Sequence, residues 1–266
     1  MQHGQARPVA RRDRAPVAER TPSAEALDLV RRDGGQHPLG LGALPGPGYR
    51  PNGLMPRTWR IEHTSGSVAD RHALQPDLTK RGVLVHEVDQ PTMVLGSSQP
   101  AVTVGGGIDV VRRRSGGAAV LLRPGEVLWL DILIPRGDPL WSDDVGRAAL
   151  WLGGVWCAAI RVSGVDATVH REPMVGSRWS DLVCFAGRAP GEVLVGNRKV
   201  LGISQRRNRT GAWFQCAALL AWPVDEMVEL LGLQPPSEAI GDLKALAGPL
   251  PIDHSELQAS LLEHLP

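Results

Sequence analysis

The chain has 266 residues, 42% of them hydrophobic, enough to bury a sizeable core in one large domain or two small ones. Its 29 Lys and Arg nearly balance 28 Asp and Glu, and a net charge of +1 leaves no global field to draw the molecule to nucleic acid or a membrane surface. Cys157, Cys184 and Cys216 are odd in number and lack Cys-x-x-Cys spacing, which argues against a disulfide framework and a structural zinc site and suits a reducing compartment.

In chain order, Met1 to about Met55 is rich in Arg, Pro, Gly, Ala and Gln, with a helical hint only at Ala24 to Arg31, and is expected to be a disordered tail. Its start lacks the apolar core of a secretory signal, and no later stretch reaches the roughly 18 apolar residues of a membrane span, so a cytoplasmic protein is expected. From Trp59 onward come short strand-like runs at Val83 to Val88, Thr92 to Leu95 and Val110 to Arg113. Ala119 to Leu122 and Val127 to Ile134 flank Pro124-Gly125 and are expected to form a hairpin. Ser142 is placed to cap a helix carrying Asp143 and Asp144 at its positive end, Val145, Ala148, Leu152, Val155, Trp156 and Ala159 at helical spacing, and Gly164 as its stop. Further strands are expected at Leu182 to Phe185, Glu192 to Val195, Lys199 to Ser204 and Ala212 to Leu220, before Pro223 opens a tail of two or three short helices. Strands in the middle with helices gathered around them indicate an α+β domain of mixed, mostly antiparallel sheets, over residues 56–266.

Three places in the sequence could carry chemistry. Arg112-Arg113-Arg114-Ser115-Gly116-Gly117-Ala118-Ala119-Val120 runs a basic cluster into small residues, where free N–H groups can approach an anion or acyl chain and Arg can grip a phosphate or carboxylate; the bland reading is a tight turn with solvated charges. Lys199 is one of only three lysines and opens a strand, so it aims a compact charge into a cleft or sits on the surface beside a turn. Cys184 ends an apolar run and is either a buried small hydrophobe or, with cations beside it, a nucleophile; Cys157 and Cys216 look structural. Phosphate-loop, dinucleotide, Gly-x-Ser-x-Gly and His-Glu-x-x-His motifs are all missing, so any use of ATP proceeds without a Walker loop.

Taken in order, these segments resemble the lipoate-protein ligase and octanoyltransferase superfamily, whose pattern is Arg-Arg-x-Ser-Gly-Gly-Gly-Ala-Val, then Asn-Asp-Leu, then Gly-x-Lys-x-x-Gly-Ser-Ala. The matching positions are Arg112, Arg113, Ser115, Gly116, Gly117, Ala119 and Val120, then Asp181 and Leu182, then Lys199 and Gly202, within a span from Trp59 to Trp222. The resemblance implies a lipoate-protein ligase-like catalytic domain that attaches lipoate or octanoate to the lysine of a lipoyl domain through an acyl adenylate. ATP and Mg2+ would be its cofactors. The Ser115 to Ala119 loop would wrap the acyl tail and adenylate, Lys199 would contact carbonyl and phosphate, and Asp181 would approach Mg-ATP. Implied partners are apo lipoyl domains of 2-oxoacid dehydrogenase or glycine cleavage proteins, an acyl carrier protein, and a separate accessory subunit, since 44 residues after Trp222 leave no room for an accessory C-terminal domain.

Three positions depart from the pattern: Ala118 replaces the third glycine, Leu122-Arg123 replaces the His-Asp that often follows, and Ser180 replaces the Asn. A second branch, the Cys-dependent octanoyltransferases and amidotransferases, resembles Cys184-Phe185, then Glu192, then Gly196 and Lys199. It implies that Cys184 carries the acyl group as a thioester without ATP. A third possibility is a degenerate relative that only binds lipoyl domains or acyl groups.

Overall fold

The computed structural model describes residues 58–266, so the expected tail before Met55 and its helical hint lie outside the described residues. In chain order the elements are β1 (Arg60–Thr64), α1 (Val68–Ala73), β2 (Gly82–His86), β3 (Thr92–Leu95), β4 (Asp109–Arg112), β5 (Val120–Leu122), β6 (Val127–Pro135), α2 (Leu150–Val162), β7 (Ala167–Val169), β8 (Val193–Val195), β9 (Arg198–Arg207), β10 (Gly211–Leu219), α3 (Val224–Leu230), α4 (Pro236–Leu246) and α5 (His254–Glu263). Seven strands form one sheet in the order β1-β2-β6-β10-β9-β8-β7, and three form a second in the order β4-β3-β5. Only β1–β2 and β3–β4 run parallel. The expected α+β class with mostly antiparallel sheets is what the fold has.

Side-chain alternation builds the layers. On β6, Leu128, Leu130 and Ile132 point to one face, where they meet Leu152, Trp156 and Ile160 of α2 and Leu257 and Leu261 of α5. Val127 and Trp129 point the other way and meet Val94, Val120 and Leu122 of the small sheet. The small sheet's far face, with Met93, Leu95 and Leu121, packs under Val224, Met227 and Val228 of α3 and Leu243 of α4. Both sheets are therefore packed on both faces at their centres, where β2 is buried at all five positions, while the edge strands β1 and β4 are largely exposed.

The structure corrects three local expectations. The turn at Pro124-Gly125 forms, with Gly125 at φ +73° and Glu126 N donating to Arg123 O, yet its flanking strands are no hairpin: β5 pairs with β3, and β6 with β2 and β10. The chain crosses there from one sheet to the other. The helix expected from Ser142 starts at Leu150 with Ala149 as its N-cap, because Asp144 Oδ1 accepts from Gly146 N and Arg147 N and holds that stretch in turns. Its stop is as expected, with Gly164 at φ +75° donating to Arg161 O. Leu182 to Phe185 is not a strand but a turn leading into a 3-10 segment, Cys184–Ala186, tied to the small sheet only by the Ala119–Val183 bridge.

Candidate active site

The glycine-rich run leaves β4 and is held by its own arginines. Buried Arg113 folds back over it, Nε and Nη2 donating to Gly116 O at 3.2 and 2.9 Å and Nη2 to Ala118 O at 2.9 Å. Arg112 Nη1 donates to Gly96 O at 2.6 Å and Gln99 O at 2.8 Å. Both guanidiniums thus brace backbone carbonyls. Gly117 has φ +98°, and a Cβ there would stand 2.7 Å from Arg113 Nη2. Gly96 closes the loop from the β3 end, where a Cβ would lie 1.6 Å from Gly117 O. No motif pointed to Gly96. Gly116 and Gly117 are exposed, and Gly116 faces open space.

Cys184 is joined to this loop through the backbone: Ala119 N donates to Leu182 O at 3.0 Å and Cys184 N to Ala119 O at 2.9 Å. Its Sγ lies 4.0 Å from Arg113 Nη2. Ser180, in the place of the pattern's Asn, accepts from Ser177 N and donates from Oγ to Ala186 O at 3.0 Å, pinning the chain just beyond the cysteine. Cys157 and Cys216 are buried as expected, and burial pushes both thiols up, Cys157 to about 11.

Lys199 is not a surface residue. It is 1% exposed, its Nζ pairs with Glu192 Oε1 at 2.8 Å and donates to Cys184 O at 2.9 Å and Gly187 O at 3.0 Å. Those three partners take the three protons of an ammonium group. Glu192 is itself pinned by Ala189 N at 2.7 Å and Ile203 N at 3.3 Å. Gly202 lets the Phe185 ring come close, with a hypothetical Cβ 3.5 Å from Phe185 Cζ and Lys199 Cε. Asp181 is exposed on its turn and does not line the cavity described next. Among the described residues no group of three or more His, Cys, Asp or Glu could hold a metal ion.

Between the two sheets lies a largely apolar cavity. The small sheet contributes Val94, Val120 and Leu122 to its walls and the large sheet Trp129, Gly202, Ser204, Gln215, Cys216 and Ala217, with His72, Arg113, Cys184 and Phe185 completing the lining. Leu122, where the pattern often has His, is one of its apolar walls. Ser115 is buried and turns toward the strands, donating to Gln215 Oε1 at 2.6 Å and lying 2.9 Å from Ser204 Oγ.

Behind Trp129, the fully buried Asp131 accepts from Trp129 Nε1 at 2.9 Å and Trp213 Nε1 at 2.7 Å and pairs with His86 Nε2 at 2.9 Å. That network fixes the Trp129 ring, on which His72 stacks at 4.6 Å. The reading of the sequence missed His72, Glu192 as Lys199's partner, Gln215 and Ser204, since each belongs to the site only through contacts distant in sequence.

Burial pushes the His72 imidazole down from 6.5 to about 4, with the charges of Arg113 and His86 acting the same way and that of Asp131 opposing. A folded value below the unfolded one means the contribution is fully present above pH 6.5 and is lost as pH falls toward 4. The span corresponds to about 3 kcal/mol. Urea titrations of the wild type and His72→Phe at a series of pH values should show a component of that order between pH 6.5 and 4 that the variant lacks. Parallel curves would refute it.

Residues 70–265 match the family described as Lipoyl protein ligase A/B catalytic domain. Comparison with curated proteins gives no match. Among solved structures, the chain is similar to a Thermoplasma acidophilum protein with bound lipoic acid at 16% identity and TM-score 0.57, covering 79% of this chain and 84% of that one. A bi-partite lipoate protein ligase from the same organism, in a study of it and its E2 lipoyl domain, matches at 15% identity and TM-score 0.59 over 79% and 82%. A lipoate-protein ligase A bound with ATP matches at 16% identity and TM-score 0.58 over 79% and 84%. At these identities the likeness is one of fold. No helix among the described residues is long and apolar enough to cross a membrane.

Proposed function

The chain belongs to the lipoyl protein ligase A/B catalytic-domain family, and from that premise we propose that it transfers a lipoyl or octanoyl group to the lysine of an apo lipoyl domain through a thioester on Cys184. The observation that carries this reading is the contrast between two side chains. Cys184 opens onto the apolar cavity with a guanidinium 4.0 Å from its sulfur, while Lys199 has every proton engaged by Glu192, Cys184 O and Gly187 O.

In the first step the Cys184 thiolate attacks the carbonyl of an acyl thioester on a carrier protein; the new C–S bond replaces the old one, and the carrier leaves as its thiolate. In the second the neutral acceptor amine attacks the Cys184 thioester, an amide forms, the amine loses its proton to solvent, and the cysteine sulfur leaves as thiolate. Arg113 offers fixed positive charge beside that sulfur in both steps. Lys199 acts by holding in place the carbonyls of Cys184 itself and of Gly187, at the two ends of the turn that follows the cysteine.

The adenylate route is the second reading, and exposed Gly116 and Gly117, with open space over the first, favour it. The residues fit ATP and Mg2+ less well: Lys199 is committed to a buried carboxylate, and Asp181 stands away from the cavity.

The test incubates the full chain with an apo lipoyl domain and reads intact masses, with octanoyl-carrier protein in one arm and free octanoate or lipoate, with and without Mg-ATP, in the others. Thioester transfer predicts acylation from the carrier without ATP and an acyl adduct on the enzyme. ATP-dependent acylation from the free acid without that adduct would replace it with ligation, and no acylation in any arm would leave a binding protein.

A further inference from the structure

Gln99 is a buried glutamine in an exposed turn. It is 6% exposed, whereas Ser97, Ser98 and Pro100 around it face solvent. Its side chain is matched at both ends: Oε1 accepts from Gly96 N at 3.3 Å, and Nε2 donates to Leu182 O at 3.1 Å. Turning the amide over would set oxygen against oxygen and N–H against N–H, so one orientation is fixed. Holding a long polar side chain in a single conformation costs entropy. Leu182 O already accepts from Ala119 N at 3.0 Å, so the glutamine is not there to satisfy an orphaned carbonyl. What it adds is a second tie between two segments.

The turn that carries Gln99 is seated on the glycine-rich loop. Gln99 N donates to Gly96 O at 3.2 Å, Ser97 N donates to Ser115 O at 3.0 Å, and Arg112 Nη1 grips the carbonyls of both Gly96 and Gln99. From that base the side chain reaches Leu182, two residues before Cys184. The backbone hydrogen bonds that join the loop to the cysteine segment both belong to Ala119, whose N–H donates to Leu182 O and whose carbonyl accepts from Cys184 N. Bonds gathered at one residue let a segment swivel about it, and a third bond from another stretch of chain removes that freedom. Arg113 is fixed to the loop through Gly116 O and Ala118 O, so the 4.0 Å between its Nη2 and Cys184 Sγ is set by how the cysteine segment sits on the loop.

Resting on the thioester reading above, we infer that Gln99 is a positioning residue: its bond to Leu182 O seats the Cys184 turn on the glycine-rich loop and so holds the sulfur in line with Arg113 and with the carbonyl it attacks. Gln99 touches neither acyl donor nor acceptor and acts through Leu182. Alignment is where such a tie matters, since a misplacement of about 1 Å at a reacting atom can cost about a hundredfold in rate.

Two variants of the full chain test this. Gln99→Met keeps the length of the side chain and removes both polar ends. Gln99→Glu keeps an oxygen for Gly96 N but sets a second oxygen against Leu182 O, and Arg112 beside it favours the ionised form. In steady-state transfer from octanoyl-carrier protein at pH 8, both should lower kcat by about a hundredfold with KM for the carrier little changed. Hydrogen exchange read by mass spectrometry should show the amides of residues 182–186 exchanging about tenfold faster, while β6 and β10 keep their wild-type protection. Wild-type kcat in Gln99→Glu would mean that closing the turn on Gly96 N is all the glutamine does, and overturns the proposal. Faster exchange throughout the protein overturns it too, because that marks general destabilisation. If Gln99→Met does not fold, Gln99→Glu carries the same comparison. Exchange needs no acyl donor, so unchanged exchange at residues 182–186 overturns the role of Gln99 whatever the route of transfer, and Cys184→Ser decides the thioester reading separately.

Discussion

Cys184→Ser is expected to lower acyl transfer from a carrier thioester to a lipoyl domain by about a thousandfold or more, with the folded protein intact. The fold should tolerate the change because what locks residue 184 is backbone: its N–H donates to Ala119 O and its carbonyl accepts from Lys199. Oxygen for sulfur changes the volume little at a partly exposed site. The chemistry should not tolerate it. Among the described residues no carboxylate or imidazole hydrogen-bonds to the 184 side chain; its one polar neighbour is Arg113. Sulfur is intrinsically a strong nucleophile toward carbonyls, whereas a hydroxyl with no base beside it is a poor one. Losses of this order are typical when the group forming the covalent intermediate is removed. Steady-state rates, with intact mass to detect the acyl adduct, are the measurement. Undiminished transfer in Cys184→Ser, with ATP required, would transfer the function to the adenylate route.

Breaking the Lys199–Glu192 pair from one side should cost about 3–5 kcal/mol of stability, the range for stranding one member of a buried ion pair. Both side chains are almost wholly enclosed, 2% and 5% exposed, and neither can reach water if its partner is removed. Lys199→Met leaves a carboxylate held only by Ala189 N and Ile203 N; Glu192→Gln leaves an ammonium facing two carbonyls and an amide. The double variant, with no charge left to strand, should recover much of either loss. Urea denaturation of the four proteins measures this. Single variants that each cost under about 1 kcal/mol would mean that the pair opens to solvent, and Lys199 would then be free to meet a substrate oxygen.

Much of the architecture could be read from local pattern. β3 has the expected bounds, β8 to β10 lie within a few residues of theirs, and Pro223 does open a run of three helices, because apolar periodicity and turn residues act within a few residues of chain. The misplaced start of α2 is a local failure too: Asp144 in its turn outbids the helix for the N–H groups of Gly146 and Arg147. The run from Arg112 to Val120, with Cys184 and Lys199, was legible as a set of candidate groups for the same reason, since spacing and residue type are properties of the sequence itself.

The sequence by itself determined the strands, the glycine pair and the supply of a thiol and a lysine. Only the tertiary structure decided what these groups face. The two strands around Pro124-Gly125 have the composition of a hairpin, but pairing is settled by which neighbour each edge finds, and β5 found β3 while β6 found β10. Lys199 became a brace because the antiparallel pairing of β8 with β9, irregular at Val193 and Leu194, brings Glu192 against it, and Ser115 turned from the loop to the core because Gln215, a hundred residues on, accepts its proton. His72 carries no motif, yet it stacks on Trp129, burial pushes its titration down, and its Nε2 has no partner among the described residues. Charge state, tautomer and hydrogen-bond partner depend on solvent exclusion and on atoms brought together from distant segments, and no local periodicity encodes either.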